Sequence, residues 1–283
     1  MEIMELPKYY SQGIGKSNQK PLGHVKIDRG NKFGRHVARA INPVNTIVDE
    51  VSGQFNKIGV ATVERGVADF KDDGNANYYE ERGGLFTPGP EMTLLARVRT
   101  PDIVSLNGLY GNKVASNWSD DEGFTFNPRE GKVFLKVGTA EAITNIAFAA
   151  NEWVNIAGYY KASELLTASV NGVDPGYSIQ DTASASLLES TKPLRLGTYH
   201  SASASLSFEG DMQFLTVLNK RLSIVESEEY FRDPYQIFKP AMKLFYFPPE
   251  VAVVVPPSSG GIVRSVVQPV VRSVVQPVVG YRP

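Results

Sequence analysis

Short extended runs, each closed by turn residues, recur along the middle of this chain, and nothing between them is long or periodic enough to be a crossover helix. Residues 92–98 place Met92, Leu94, Ala96 and Val98 on one face, the period-2 alternation of a strand. Residues 123–127 and 132–137 read as a hairpin across 128–131, with Val133, Leu135 and Val137 sharing a face. Residues 153–161 and 165–170 read as a second antiparallel pair, and the turn residues Asn171-Gly172 follow. The run 58–63 is rich in β-branched residues, and 208–218 is long enough for a central strand. A parallel α/β sheet needs a helical crossover of about a dozen residues between strands, which this pattern lacks. The fold class expected is therefore all-β, a sandwich or a barrel. Ile156, Leu166, Ala168, Val170, Leu196, Phe214 and Val217 are expected in its core.

One helix is expected, over 224–231. Ser223 is a good N-cap and Glu226 stands three residues on, the spacing of a capping box. Glu226, Glu228 and Glu229 sit toward the positive end of the helix dipole, and Asp233-Pro234 ends it.

The 283 residues suffice for one large all-β domain with extensions, and 42% apolar residues allow a sizeable core. With 29 basic and 30 acidic residues the formal charge is −1, which offers no general attraction to nucleic acid or to an anionic membrane. There is no cysteine, so disulfides and thiolate metal sites are excluded. Residues 1–11 lack the basic and apolar regions of a signal peptide, and no apolar run reaches the roughly 18–20 residues of a membrane span. The expectation is a protein made in a cytoplasm that leaves it within an assembly or by lysis.

Both ends differ from the middle. Residues 1–24 are polar, broken by Gly13, Gly15, Pro21 and Gly23, and read as an extended arm. The strand-rich region is bounded as 25–247. Residues 248–283 form a Pro/Val-rich arm with two identical copies of one octapeptide, 264–271 and 272–279. Proline at 269 and 277 forbids a continuous helix or a central strand. The valine density is unlike that of disordered tails. An assembly role is expected for Arg264, Val266, Val267, Pro269, Arg272, Val274, Val275 and Pro277, through addition to a neighbour's sheet edge or groove. A free low-complexity tail is the alternative.

Little in the chain has the spacing of a catalytic or metal site. Asp73, Asn75 and Asn77 have the oxygen spacing of a calcium loop, but the sixth and twelfth positions of an EF-hand fall on Tyr78 and Gly84. A looser calcium site or a plain Asn/Asp turn are the two readings, and no other cofactor is expected. His24, His36 and His200 show no paired ligand spacing. Gly13 and Gly15 follow no strand, so a nucleotide loop is unsupported. Trp118, beside Asp120, Asp121 and Glu122, is a candidate for stacking on a sugar, with a loop anchor as the plainer reading.

Six short motifs in order resemble a laminin-G-like domain, a member of the concanavalin-A-like jelly-roll sandwiches. They are Val67 to Gly74, Phe86-Thr87 before the 92–98 strand, Trp153, Asn171-Gly172, Phe208-Glu209-Gly210-Asp211, and Leu222-Ser223 with Glu226. The resemblance covers about 58–232. It implies a core position for Trp153 and a scaffold for binding and display, whose relatives often hold calcium on loops. Glycoside hydrolases of this fold carry Glu-x-Asp-x-x-Glu on one strand. Here Glu209 and Asp211 start that pattern, but Phe214 stands in the third place, so the two-carboxylate mechanism lacks a member. No enzyme activity is expected.

Asp233-Pro234-Tyr235-Gln236-Ile237-Phe238 resembles the segment that closes laminin-G-like proteins of bacteriophages and prophages, and residues 21–37 resemble their opening. That resemblance implies a virion structural protein of head or tail, anchored by its arms to other virion proteins and to copies of itself. A carbohydrate-binding adsorption module facing cell-surface glycans is the alternative, and a glycan hydrolase the weaker one.

Overall fold

The computed structural model describes residues 25–42, 48–51, 53–58, 62–64, 67–70, 77–81, 86, 88–101, 108–112, 122–185, 190–198 and 207–240. The chain divides into two units, Met1–Lys243 and Leu244–Pro283, and the second lies wholly outside the described residues.

In chain order the strands are β1 (Val25–Ile27), β2 (Val37–Ile41), β3 (Val48–Asp49), β4 (Gly53–Ile58), β5 (Thr62–Glu64), β6 (Val67–Phe70), β7 (Tyr78–Glu81), β8 (Glu91–Arg99) and β9 (Tyr110–Gly111). There follow β10 (Phe124–Arg129), β11 (Lys132–Val137), β12 (Ala140–Thr144), β13 (Val154–Lys161), β14 (Thr167–Val170), β15 (Tyr177–Gln180), β16 (Arg195–Leu196), β17 (Gly210–Leu218) and β18 (Phe238–Pro240). Among the described residues one α-helix, α1, spans Ile224–Arg232, and short 3-10 turns cover Gly34–His36 and Pro234–Ile237.

These elements build a jelly-roll β-sandwich. Sheet one runs β14-β13-β8-β17-β2-β3, with β6 also paired to β17 and β5 to β6. Sheet two runs β4-β7-β16-β9-β10-β11-β12-β15, and the β3–β4 pair joins the two. The ladders are antiparallel throughout. Met92, Leu94, Ala96 and Val98 of β8 point between the sheets, where they meet Phe126, Leu135 and Val137 from sheet two. Glu130 and Gly131 turn β10 into β11 with φ of 55° and 69°, the doubly left-handed geometry of a tight hairpin. Pro128 therefore belongs to the strand, opposite Val133, and the loop is shorter than its sequence suggests.

A second core lies on the outside of sheet one. It holds Leu95, Ala157, Phe214 and Leu218 from the sheet, covered by Tyr230, Phe231 and Tyr235. The capping box forms as expected. The Ser223 hydroxyl oxygen accepts from the Glu226 N–H at 3.2 Å, and the Glu226 carboxylate accepts from the Ser223 N–H at 2.8 Å. The chain's two ends of the described fold then close this layer, because β1 pairs with β18. The Asp28 N–H donates to the Ile237 carbonyl at 2.7 Å, and Lys239 pairs with Asp28 at 2.8 Å. Gly34 permits the tight approach that this needs: a Cβ there would lie 2.1 Å from the Asp28 carbonyl oxygen.

The edge strand β14 is sealed by side chains. The Tyr177 hydroxyl accepts from the Ala168 N–H at 2.8 Å and donates to the Ala168 carbonyl at 2.9 Å. Gln180 donates to the Leu166 carbonyl at 3.0 Å. An open row of backbone donors and acceptors is thereby closed to a further strand.

Two expectations about the core need correction. Ile156, Leu166, Ala168, Val170, Leu196 and Val217 lie between the sheets. Phe214 is buried at 4% exposure, but in the outer core. The β17–β8 register slips between Met212 and Phe214, so one extra residue turns Phe214 outward while Met212 and Leu215 both point inward. Trp153 lies in neither core and is only half-buried. Val154 starts β13 facing inward, so alternation sends Trp153 to the other side.

Candidate functional site

The outer face of sheet one has two halves. The layer of α1, the 3-10 turn and the β1–β18 ribbon packs over the half that carries Leu95, Ala157 and Tyr159. The other half carries polar side chains, and the strand register lays them out in rows. In the first row Trp153 continues the Val154–Val98 pairing to stand opposite Arg99, Arg99 stands opposite Asp211, and Asp211 opposite Asp69. In the second row Asn155 is opposite Arg97, and Arg97 is opposite Phe214.

Contacts fix the first row. Arg99 donates from Nε and Nη2 to Asp211 Oδ2, at 2.8 and 2.5 Å. Its guanidinium carbon lies 5.2 Å from the centre of the Trp153 ring, a cation–π contact. The indole is thus held on one side by a cation that is itself held by a carboxylate. The chain enters this corner through Asn151, in the left-handed region at φ 62°. Its N–H donates to the Thr100 carbonyl at 2.7 Å and its side-chain amide to the Pro101 carbonyl at 3.4 Å. Gly210, at φ 144°, begins β17 so close to β8 that a Cβ would sit 2.2 Å from the Arg99 carbonyl oxygen.

The second row is less satisfied. Asn171 Oδ1 accepts from the Asn155 N–H at 2.9 Å. Asn155 Oδ1 and Arg97 Nε are both shielded and have no hydrogen-bond partner. Arg97, half-buried, is absent from every side-chain hydrogen bond and ion pair of the described residues. Tyr235 borders it. That ring packs edge-on against Phe214 at 6.2 Å. Burial pushes the Tyr235 phenol up to about 12, partly opposed by the positive charge of Arg97.

Several other charged groups are paired within the fold. Arg195 pairs with Glu80 at 2.9 Å and Lys136 with Glu141 at 2.5 Å on sheet two. Arg39 pairs with Glu81 at 2.8 Å and lies 4.8 Å over Phe86. These pairs hold strands together, although Arg39 Nε and Glu81 Oε2 are themselves shielded without a hydrogen-bond partner.

The residues singled out in the sequence fall in various places. Asp73, Asn75, Trp118, His24 and His200 lie outside the described residues, as do Arg264, Val266, Val267, Pro269, Arg272, Val274, Val275 and Pro277. Asn77 is fully buried. Among the described residues no group of three or more His, Asp or Glu side chains could hold a metal ion. His36 sits in the first 3-10 turn, where burial and then Lys220 and Arg35 hold its pKa below the usual value. Asp211 is bound to Arg99 and shares its face with Phe214, which lies in the aromatic cluster under α1. Arg97 and Arg99 were not singled out. They alternate with Ala96 and Val98 in a strand whose inward face carried the sequence signal.

No protein-family model matches this chain, and no curated protein matches it. Solved structures do. The binding domain of botulinum neurotoxin DC, determined in complex with rat synaptotagmin II, has a TM-score of 0.51 at 10% identity, over 71% of this chain and 52% of that one. The binding domain of botulinum neurotoxin serotype D gives 0.51 at 9% identity, over 71% and 52%. A botulinum neurotoxin type C structure, described by cell entry that depends on interaction with two ganglioside molecules, gives 0.50 at 11%, over 71% and 51%. The chain spans about half the length of these proteins. At such identity the likeness shows the fold, a lectin-like β-sandwich.

Proposed function

We propose that this chain is a carbohydrate-binding module and that the open half of sheet one is its binding face. The observation that carries this reading is Trp153. A large aromatic that strand alternation sends outward, that stays half-buried, and that is braced on one side by the Arg99–Asp211 pair offers an apolar surface beside hydrogen-bonding groups. A sugar ring presents the same combination, with C–H faces and hydroxyl edges, and an amphipathic aromatic suits it. The solved neighbours support a recognition role, since two are described as binding domains and a third by cell entry that depends on interaction with two ganglioside molecules. Catalysis is not part of the reading: the Asp211 carboxylate is engaged by Arg99, and position 214 supplies no second carboxylate. The test is binding of the full chain to a glycan array, repeated with Trp153→Ala. Binding weakened about tenfold or more, a loss of about 1.4 kcal/mol, is the expected result. Binding to no glycan, or binding that ignores Trp153→Ala, overturns it.

A second reading places such a module on a virion. The observation in its favour is that the segments resembling the opening and closing of bacteriophage laminin-G-like proteins meet as one unit, the β1–β18 ribbon with its Asp28–Lys239 pair. In this reading the repeat containing Arg264 to Val279 anchors the module to neighbouring virion proteins, and the sandwich faces outward. Deleting 262–283 should leave the sandwich folded and abolish incorporation into particles. Normal occupancy of the truncated protein would remove the anchor from the account.

A further inference from the structure

We propose that Arg97 makes this face a site for an anionic sugar, its carboxylate or sulfate group taken by the Arg97 guanidinium. This rests on the reading of the face as a carbohydrate platform and names the class of sugar.

Arg97 lacks a partner within the described fold. Arginine on a sheet is normally matched, and the charged residues of this fold show it: Arg99 has Asp211, Arg195 has Glu80, Arg39 has Glu81 and Arg221 has Glu164. Arg97 is half-buried between Asn155 and Phe214 by register, yet its side chain has no ion pair and no hydrogen bond within the described fold. Of its nitrogens only Nε is shielded without a partner; the side chain is half-buried, so its outer nitrogens stay open to a ligand. Its Nε donor and the Oδ1 acceptor of Asn155, which stands opposite it in register, are both shielded and without a hydrogen-bond partner. Most buried polar groups in folded proteins are satisfied, so an unpaired donor beside an unpaired acceptor needs an explanation.

The chemistry of the vacancy follows from the groups around it. A guanidinium offers a planar fork of donors that fits a carboxylate, and it also accepts sulfate oxygens. Arg99 lies two residues along the same strand, on the same face, but Asp211 already neutralises it. Asn155 can rotate its amide to accept a sugar hydroxyl. Trp153, opposite Arg99 in the neighbouring row, supplies the apolar surface for the ring. Successive outward positions on a strand are about 7 Å apart, which is the scale of one pyranose ring with an attached acid group. A neutral sugar would stack on Trp153 and leave Arg97 unmatched; an acidic one engages both.

The experiment measures binding of the full chain to polygalacturonate (carboxylate), dextran sulfate (sulfate) and dextran (neutral), with Arg97→Gln, Arg97→Lys and Trp153→Ala beside it. Circular dichroism reports folding. One or both acidic polymers should bind well above dextran, and Arg97→Gln should weaken that binding roughly 10–100-fold, the range of a lost charge-assisted hydrogen bond. Arg97→Lys separates the sources. Loss on polygalacturonate with retention on dextran sulfate assigns the fork to a carboxylate, and the converse assigns the site to sulfate. If Arg97→Gln does not fold, Arg97→Lys carries the test, because it keeps the charge and most of the packing. Acidic binding that survives both variants overturns the assignment of Arg97. Binding to dextran alone, lost in Trp153→Ala, overturns the anionic class and leaves the carbohydrate module standing. Binding to none of the three, joined by an empty glycan array, removes the module reading as well.

Discussion

Phe214→Ala and Trp153→Ala should cost very different amounts of stability, although a sequence reading puts both residues in one core. Phe214 is 4% exposed and sits among Tyr230, Phe231 and Tyr235, each ring centre 6.2 Å away. Removing it leaves a cavity under the outer layer that α1 cannot fill without losing its own contacts. Burial of this kind places Phe→Ala at about 3–5 kcal/mol. Trp153 is half-buried outside both cores. Its truncation loses partial packing and one exposed cation–π contact, together about 1–2 kcal/mol. Urea denaturation followed by far-UV circular dichroism, with equal slopes for the two variants, gives the difference directly. A Trp153→Ala cost equal to that of Phe214→Ala would refute the placement of Trp153 on the outer face.

Three further outcomes follow from particular contacts. Ser223→Ala should destabilise by about 1 kcal/mol, because it removes the acceptor of the capping box; thermal melting measures it, and no change would deny the cap. Tyr177→Phe leaves the Ala168 N–H and carbonyl without their partner and should cost about 1–3 kcal/mol, with a greater tendency to self-associate through the opened β14 edge seen in sedimentation velocity. Tyr177 and Tyr235 are both pushed up to about 12, from an ordinary 10, first of all by burial. The folded state then holds these protons more tightly than the unfolded state, so stability should be intact below pH 10 and fall as pH rises from about 10 to about 12. Phenolate absorbance rising fully by pH 10.5 without unfolding would contradict this.

Local signals were legible where one element decides them. The helix 224–231 needed only Ser223, Glu226 and Asp233-Pro234, and α1 ends one residue later, at Arg232. The inward face of β8 was plain from Met92, Leu94, Ala96 and Val98. The run 58–63 was less clear, since β4 ends at Ile58 and β5 starts at Thr62. What the sequence withheld depends on distant pairing. The extra residue near Gln213 that turns Phe214 outward is visible only against β8. The outer core needs β1 to find β18, and their pairing joins Val25 to Pro240. With that layer unknown, positions 93, 95, 97 and 99 look like a solvated face. The structure divides them: Leu95 goes under the layer, while Arg97 and Arg99 stay beyond it. Trp153 was drawn inward by a family likeness, whereas a single residue of strand phase decides its side.

The central claim is that Trp153 contacts the sugar, and its own fluorescence tests this most directly. The chain has two tryptophans, so Trp118→Phe leaves Trp153 as the sole indole reporter. Titrating that variant with a glycan that binds the full chain should shift the Trp153 emission and protect it from acrylamide quenching, with a midpoint that matches the binding isotherm from calorimetry. Saturable binding by calorimetry with unchanged Trp153 emission and unchanged quenching would place the sugar elsewhere and contradict the account.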